Sequence, residues 1–100
     1  MTPGEVADFL ATLPGCTQTG TRAIPAWYVA GRVVARLVAA DELMIRCDFA
    51  ERERLVRDDP ETFGIPPEYE AHMKVQAMLA GDADRIRSAL RGAWELQRKR

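Results

Sequence analysis

Apolar residues recur at alternate positions from Ile24 to Cys47, a stretch that reads IPAWYVAGRVVARLVAADELMIRC and is broken at two points. Alternation marks strands with one buried face, so the stretch predicts a three-strand antiparallel meander that turns at Gly31-Arg32 and near Ala40-Asp41. The pleat sends Trp27, Val29, Val33, Ala35, Leu37, Leu43, Ile45 and Cys47 to one face, the expected core. Tyr28, Val34, Arg36, Val38, Met44 and Arg46 share the other.

Outside the meander a period of 3.6 takes over. Thr2-Pro3-Gly4-Glu5 has the form of a capping box with proline at the first helical position, and Val6, Phe9, Leu10 and Leu13 follow on one stripe until Pro14-Gly15 ends the helix. Cys16 to Gly20 reads as a short edge strand. Asp48 is a second N-cap, with Glu51 three residues on to complete the box, opening a helix that Asp59-Pro60 stops near Asp58. Phe49, Leu55 and Val56 are its expected buried stripe, and Glu51, Arg52, Glu53, Arg54 and Arg57 its solvated face.

Glu61 to Ala71 resists regular structure, because its prolines remove donors and restrict their predecessors, and it reads as an ordered loop. Alternation returns from His72 to Leu79, with Met73, Val75, Ala77 and Leu79 inward and His72, Lys74, Gln76 and Met78 outward. A last helix from Asp82 or Ala83 to Arg98 places Ile86, Ala89, Leu90, Ala93 and Trp94 on one side. The order α-β(3-4)-α-β-α predicts a single α+β domain over residues 1–100: a two-layer sandwich, antiparallel sheet with helices on one face and the other face open.

Composition changes this picture little. The chain has 100 residues, 47% apolar and 29% charged, the profile of one soluble domain with one core. Its apolar runs stop well short of the roughly 20 residues of a membrane span, and no basic-then-hydrophobic leader opens it, so a cytoplasmic protein without a membrane partner is expected. Cys16 and Cys47 lack CxxC spacing and read as buried free thiols. With His72 as the single histidine, neither a metal site nor a cofactor is expected.

Charge adds one asymmetry. The net value of −1 conceals 8 Lys+Arg against 12 Asp+Glu in residues 1–81 and 6 against 3 in residues 82–100. The basic end, closing on Arg98, Lys99 and Arg100, reads first as a solvated helix terminus whose cations complement its dipole and second as a phosphate-contacting flank. Catalytic residues are not expected: Ser88 sits mid-helix, neither cysteine has a histidine at a recognisable spacing, and no glycine-rich phosphate loop occurs.

The chain resembles the MmcQ/YjbR family over nearly its whole length. The resemblance is carried by Leu13-Pro14-Gly15, Pro25-Ala26-Trp27 with Val29 and Gly31-Arg32, Asp48 with Glu51-Arg52-Glu53, Asp59-Pro60-Glu61 with Phe63, Pro67 with Tyr69 and His72, and Ala93-Trp94 with Lys99-Arg100. It departs at Gly64, where a second aromatic often follows Phe63 in that family. The resemblance implies a YjbR-like α/β fold and a DNA-binding, non-catalytic protein, without a base-reading motif to carry over.

Two functional expectations follow. In the first, the outward sheet face binds DNA, with Tyr28, Arg36, Arg46, Lys74 and Gln76 offering an aromatic among cations, flanked by Arg85, Arg87 and Arg91 of the last helix. In the second, Val34, Val38, Met44 and Met78 on that face form an apolar patch for a second copy or another protein. Phe63, Tyr69 and His72 are further expected either to anchor their loop in the core or to wall a small pocket.

Overall fold

The computed structural model describes residues 1–99; Arg100 of the basic terminal run lies outside them. Helix α1 spans Pro3–Ala11, and the capping box at Thr2 and Glu5 is present in both directions. Strands β1 (Thr17–Gly20), β2 (Pro25–Val29), β3 (Arg32–Ala39) and β4 (Glu42–Arg46) follow, then α2 (Phe49–Asp58), β5 (Phe63–Gly64), a 3₁₀ turn (Pro67–Tyr69), β6 (Lys74–Met78) and α3 (Ala83–Arg98). The predicted elements are thus present, with β5 and the 3₁₀ turn added inside the stretch expected to be an irregular loop.

All six strands join one antiparallel sheet in the order β1-β2-β3-β4-β6-β5. The three helices pack on one face of it, the two-layer α+β arrangement expected. Leu10 of α1, Leu55 of α2 and Ile86, Leu90 and Trp94 of α3 join Trp27, Ala35, Leu37, Leu43 and Ile45 in one core. Burial of each such side chain contributes about 1.5–3 kcal/mol, and this drives the layers together. No helix is long and apolar enough to cross a membrane among the described residues.

Register slips twice along β3: Leu37 pairs with Leu43 but Ala39 with Glu42, which makes Val38 an extra residue near the end of the strand, and an earlier slip changes which side chains face the core. Trp27 pairs with Ala35 and Tyr28 with Val33, so Val34 is an extra residue on β3, a β-bulge. Two successive side chains then point the same way. Val34 is fully buried in the core and Val33 is half-buried on the Tyr28 face, the reverse of the strict pleat. The hairpin before it turns at Ala30-Gly31, one residue earlier than expected, and both have positive φ (51° and 76°). That is the demand of a two-residue type I′ turn.

Helix α2 departs from its pattern as well. Arg52, assigned to the solvated face, is buried at 5% exposure, whereas Phe49, assigned to the core, is 45% exposed. Asp48 caps the Glu51 amide at 2.7 Å, but the Glu51 carboxylate binds Arg54 instead of closing the box.

Candidate functional site

The sheet face away from the helices is built from four short rows of paired residues. Thr17, Tyr28 and Val33 form one, and Ala26, Arg36, Met44 and Gln76 another; Arg46 pairs with Lys74 and Glu42 with Met78. Arg46–Lys74 and Glu42–Met78 lie at opposite ends of the β4–β6 ladder, about 14 Å apart at 3.4 Å per residue. The face therefore has a cationic end and an acidic end.

Part of this face is not open. Ala26, Met44 and Tyr69 are buried yet stand outside the main core cluster, which marks them as a separate small layer. Lys74 Nζ sits 4.7 Å from the centroid of the Tyr69 ring, and the Tyr69 hydroxyl is raised above its ordinary value by burial first, then by Glu42 and Glu68, with Arg36 opposing. With Lys74 of β6 against its ring, Tyr69 lies over the face of the sheet to which Met44 belongs, and both side chains are buried.

What holds Tyr69 there is Arg52. Its Nη1 donates to the carbonyls of Tyr69, Glu70 and His72 at 3.0, 3.3 and 2.8 Å. A planar, permanently charged guanidinium suits such a fan of acceptors. Its Nη2 reaches Glu53 at 3.3 Å, its carbon Cζ lies 4.9 Å from the Phe49 ring centroid, and its Nε is buried without a partner.

Beside this anchor, Arg46, Phe49, Ala71, His72, Met73 and Lys74 line a depression of about 340 Å³. The Arg46 Nε donates to the Met73 carbonyl at 2.9 Å, which orients its guanidinium at the wall. Three residues singled out in the sequence, Arg46, Lys74 and His72, therefore converge. Phe49 was missed as a site residue because its helical phase reads as core.

The other predicted residues are distributed differently. Tyr28, Arg36 and Gln76 share the face but not the depression. Phe63 is 2% exposed in the core, anchoring its loop as one of the two expectations had it, so it is no wall of a pocket with His72. Arg85, Arg87 and Arg91 belong to α3, across the sheet from Arg36, Arg46 and Lys74. Arg85 and Arg87 lie near Asp59, Asp82 and Asp84, and Arg91 rests 5.7 Å from the Phe9 ring centroid. The two predicted cationic sets form no common surface.

The expected apolar patch is also reduced. Val34 belongs to the core, Met44 is 4% exposed and Met78 is half-buried, leaving Val38 as its exposed member.

On the helical side a larger cleft of about 560 Å³ lies between α2 and α3, with Cys47 and Ala93 in its lining and Glu51, Arg91, Glu95 and Lys99 among its polar residues. Burial pushes the Cys47 thiol up to about 12, and desolvation also raises half-buried Cys16, so neither is poised as a thiolate. Among the described residues no group of three or more His, Cys, Asp or Glu could hold a metal.

No protein-family model and no curated protein matches the chain. Among solved structures, it is similar to the Deinococcus radiodurans protein DR2400, a DUF419 domain, with 18% identity and a TM-score of 0.79 over 95% of this chain and 77% of that one. DUF419 is the YjbR/MmcQ-like fold family, so the likeness shows at the level of fold what the sequence resemblance implied.

Proposed function

We propose that the chain is a nucleic-acid-binding module, with DNA as the first candidate, that contacts phosphates through Arg36, Arg46 and Lys74 on the sheet face away from the helices. The observation that carries this is a set of cations on one sheet face without carboxylate partners: Arg36, Arg46 and Lys74 have none within 4.0 Å among the described residues, whereas on the helical side Arg54, Arg57, Arg85, Arg87 and Lys99 each have one and Arg91 and Arg98 lie against the Phe9 and Trp94 rings.

Arg46 and Lys74 are moreover direct cross-strand partners. Like charges placed opposite each other destabilise a sheet, and a phosphate between them reverses the sign of that term. Arg85, Arg87 and Arg91 are left out of this surface because they lie on the helical side of the sheet.

The test is a salt-titrated binding measurement on generic DNA. Each phosphate contact contributes a slope of about 0.9 in log K against log salt on duplex DNA and about 0.7 on a single strand. Arg36→Ala with Arg46→Ala is expected to remove between one and two units of slope, and Arg85→Ala with Arg87→Ala to leave it unchanged. An unaltered slope in the first variant refutes the assignment.

Self-association through the same face is the weaker reading, because Val38 is the exposed member of the apolar set. Sedimentation of Val38→Glu beside the wild type decides it. Met44→Glu does not serve, since Met44 is buried and the variant would disturb the fold.

A further inference from the structure

The depression at the cationic end of the sheet combines groups that a simple phosphate-contacting surface does not need. Phe49 stands at the first position of α2 with nearly half its surface exposed, an unusual place for a large aromatic. The buried Arg52 guanidinium lies 4.9 Å from its ring centroid on the protein side, so the ring is held from within and presents its outer surface to solvent. Arg46 and Lys74 line the same hollow, and His72 adds ring nitrogens to its wall.

We infer that this hollow receives one unstacked nucleotide of a single-stranded nucleic acid, its phosphate between Arg46 and Lys74 and its base against Phe49. The inference rests on the phosphate-binding reading above and narrows it from polyanion to single strand. Three features carry it. The hollow, about 340 Å³, is at the small end of ligand-site volumes, the scale of one nucleotide. A base inside a duplex has both faces stacked and cannot reach an aromatic ring in a concavity, whereas a single-strand base can. The ring and the two cations approach from different elements, the α2 start and the β4–β6 ladder, as a ligand with a flat apolar part and an anionic part requires.

The carboxylates of Asp48, Glu53 and Glu42 are each engaged or placed away from the gap between Arg46 and Lys74. Asp48 is turned onto the Glu51 amide at 2.7 Å and Glu53 onto Arg52 at 3.3 Å, while Glu42 is at the far end of the β4–β6 ladder.

The experiment compares four probes at one salt concentration: an oligothymidylate, an abasic oligomer of the same length, a duplex of the same length and free thymidine monophosphate. The wild type is expected to bind the oligothymidylate at least 5-fold tighter than the abasic oligomer. Phe49→Ala should weaken oligothymidylate binding by about 5- to 150-fold and abasic binding little, because stacking on one aromatic is of that size. Phe49→Trp should retain the preference and show quenching of the introduced indole, since Trp27 and Trp94 are buried. Arg46→Ala and Lys74→Ala should weaken both oligomers.

Equal affinity for thymidylate and abasic oligomers, with Phe49→Ala neutral, overturns the inference and leaves the phosphate-binding reading standing. Free thymidine monophosphate binding as tightly as the oligomer overturns it in favour of a free-nucleotide site. Absence of binding to every probe overturns both readings. Phe49 is exposed and alanine is a better helix former, so loss of folding is not expected to obscure the result.

Discussion

Replacing Arg52 by methionine tests what fixes the loop over the sheet. The change keeps an unbranched stem and removes the guanidinium that binds the carbonyls of Tyr69, Glu70 and His72 at 3.0, 3.3 and 2.8 Å. Hydrogen bonds from a charged donor contribute about 1.5–3 kcal/mol each in a buried setting. The bonds to Glu70 and His72 are only partly buried, and water replaces them in the variant at small cost. The bond to Tyr69 is buried, so water does not readily replace it, and the Tyr69 carbonyl keeps only the His72 amide as a partner.

Against this loss stands a gain, because burying a guanidinium whose Nε has no partner is itself unfavourable and methionine relieves it. The balance is a net destabilisation of about 2 kcal/mol, which lowers Tm by roughly 8–16 °C for a domain of this size. Urea unfolding at unchanged m reads the global term, and amide exchange reads the local one. The amides of Tyr69 and His72, which donate to Pro66 and Tyr69 at 2.8 and 2.9 Å, should lose protection before those of β4 do. Arg52→Lys recovers only part of the loss, since one ammonium cannot span the fan and face Phe49 together. A variant within 0.5 kcal/mol of the wild type, as an order-of-magnitude threshold, with its loop amides still protected, refutes the claim that Arg52 holds this loop.

Ala30→Asn should stabilise the protein by about 0.5–1 kcal/mol in urea unfolding, because alanine at φ 51° carries a left-handed cost that asparagine tolerates; a loss of stability argues against the type I′ turn. Gly81→Ala should destabilise by about 1–3 kcal/mol, because the added Cβ would collide with Thr62 Oγ1 and meet the Thr62 Cβ at 2.8 Å, and Thr62 Oγ1 already accepts from the Asp82 amide at 2.9 Å. A neutral thermal melt shows that Thr62 can move aside. Cys47 has its folded value raised by burial from 9.0 to about 12, so the stability it contributes is complete below about 9 and declines as pH rises toward 12. Cys47→Ala should flatten that decline in denaturation curves taken across this window, and an unchanged slope removes Cys47 as its source.

The sequence made most of the fold legible because periodicity reports burial, and burial is shared along each element. It failed where an element changes phase or runs past its support. On β3 the pattern Val33-Val34-Ala35 gives no local sign that two neighbours point inward; the extra residue is set by pairing with Trp27 and Tyr28 on another strand. On α2 a signal did exist. Arg52 lies three and four residues before Leu55 and Val56, on their stripe, so its phase was that of a buried residue while its chemistry argued for solvent. Phase prevailed because the loop carbonyls replace the water that a guanidinium would otherwise keep.

Phe49 reverses the same conflict, since it shares the stripe with Arg52 and yet has nearly half its surface in solvent. Its exposure depends on Arg52 being buried beneath it and on the His72 loop lying alongside, contacts between residues 17 to 20 positions apart that no local pattern encodes. The same anchor that binds the Tyr69, Glu70 and His72 carbonyls thus also shapes the hollow in which Phe49, Arg46 and Lys74 meet. It follows that Arg52, which need not touch any ligand, should influence binding as strongly as the residues that do: a loosened loop in Arg52→Met removes His72 from the wall and the inner support from the Phe49 ring together.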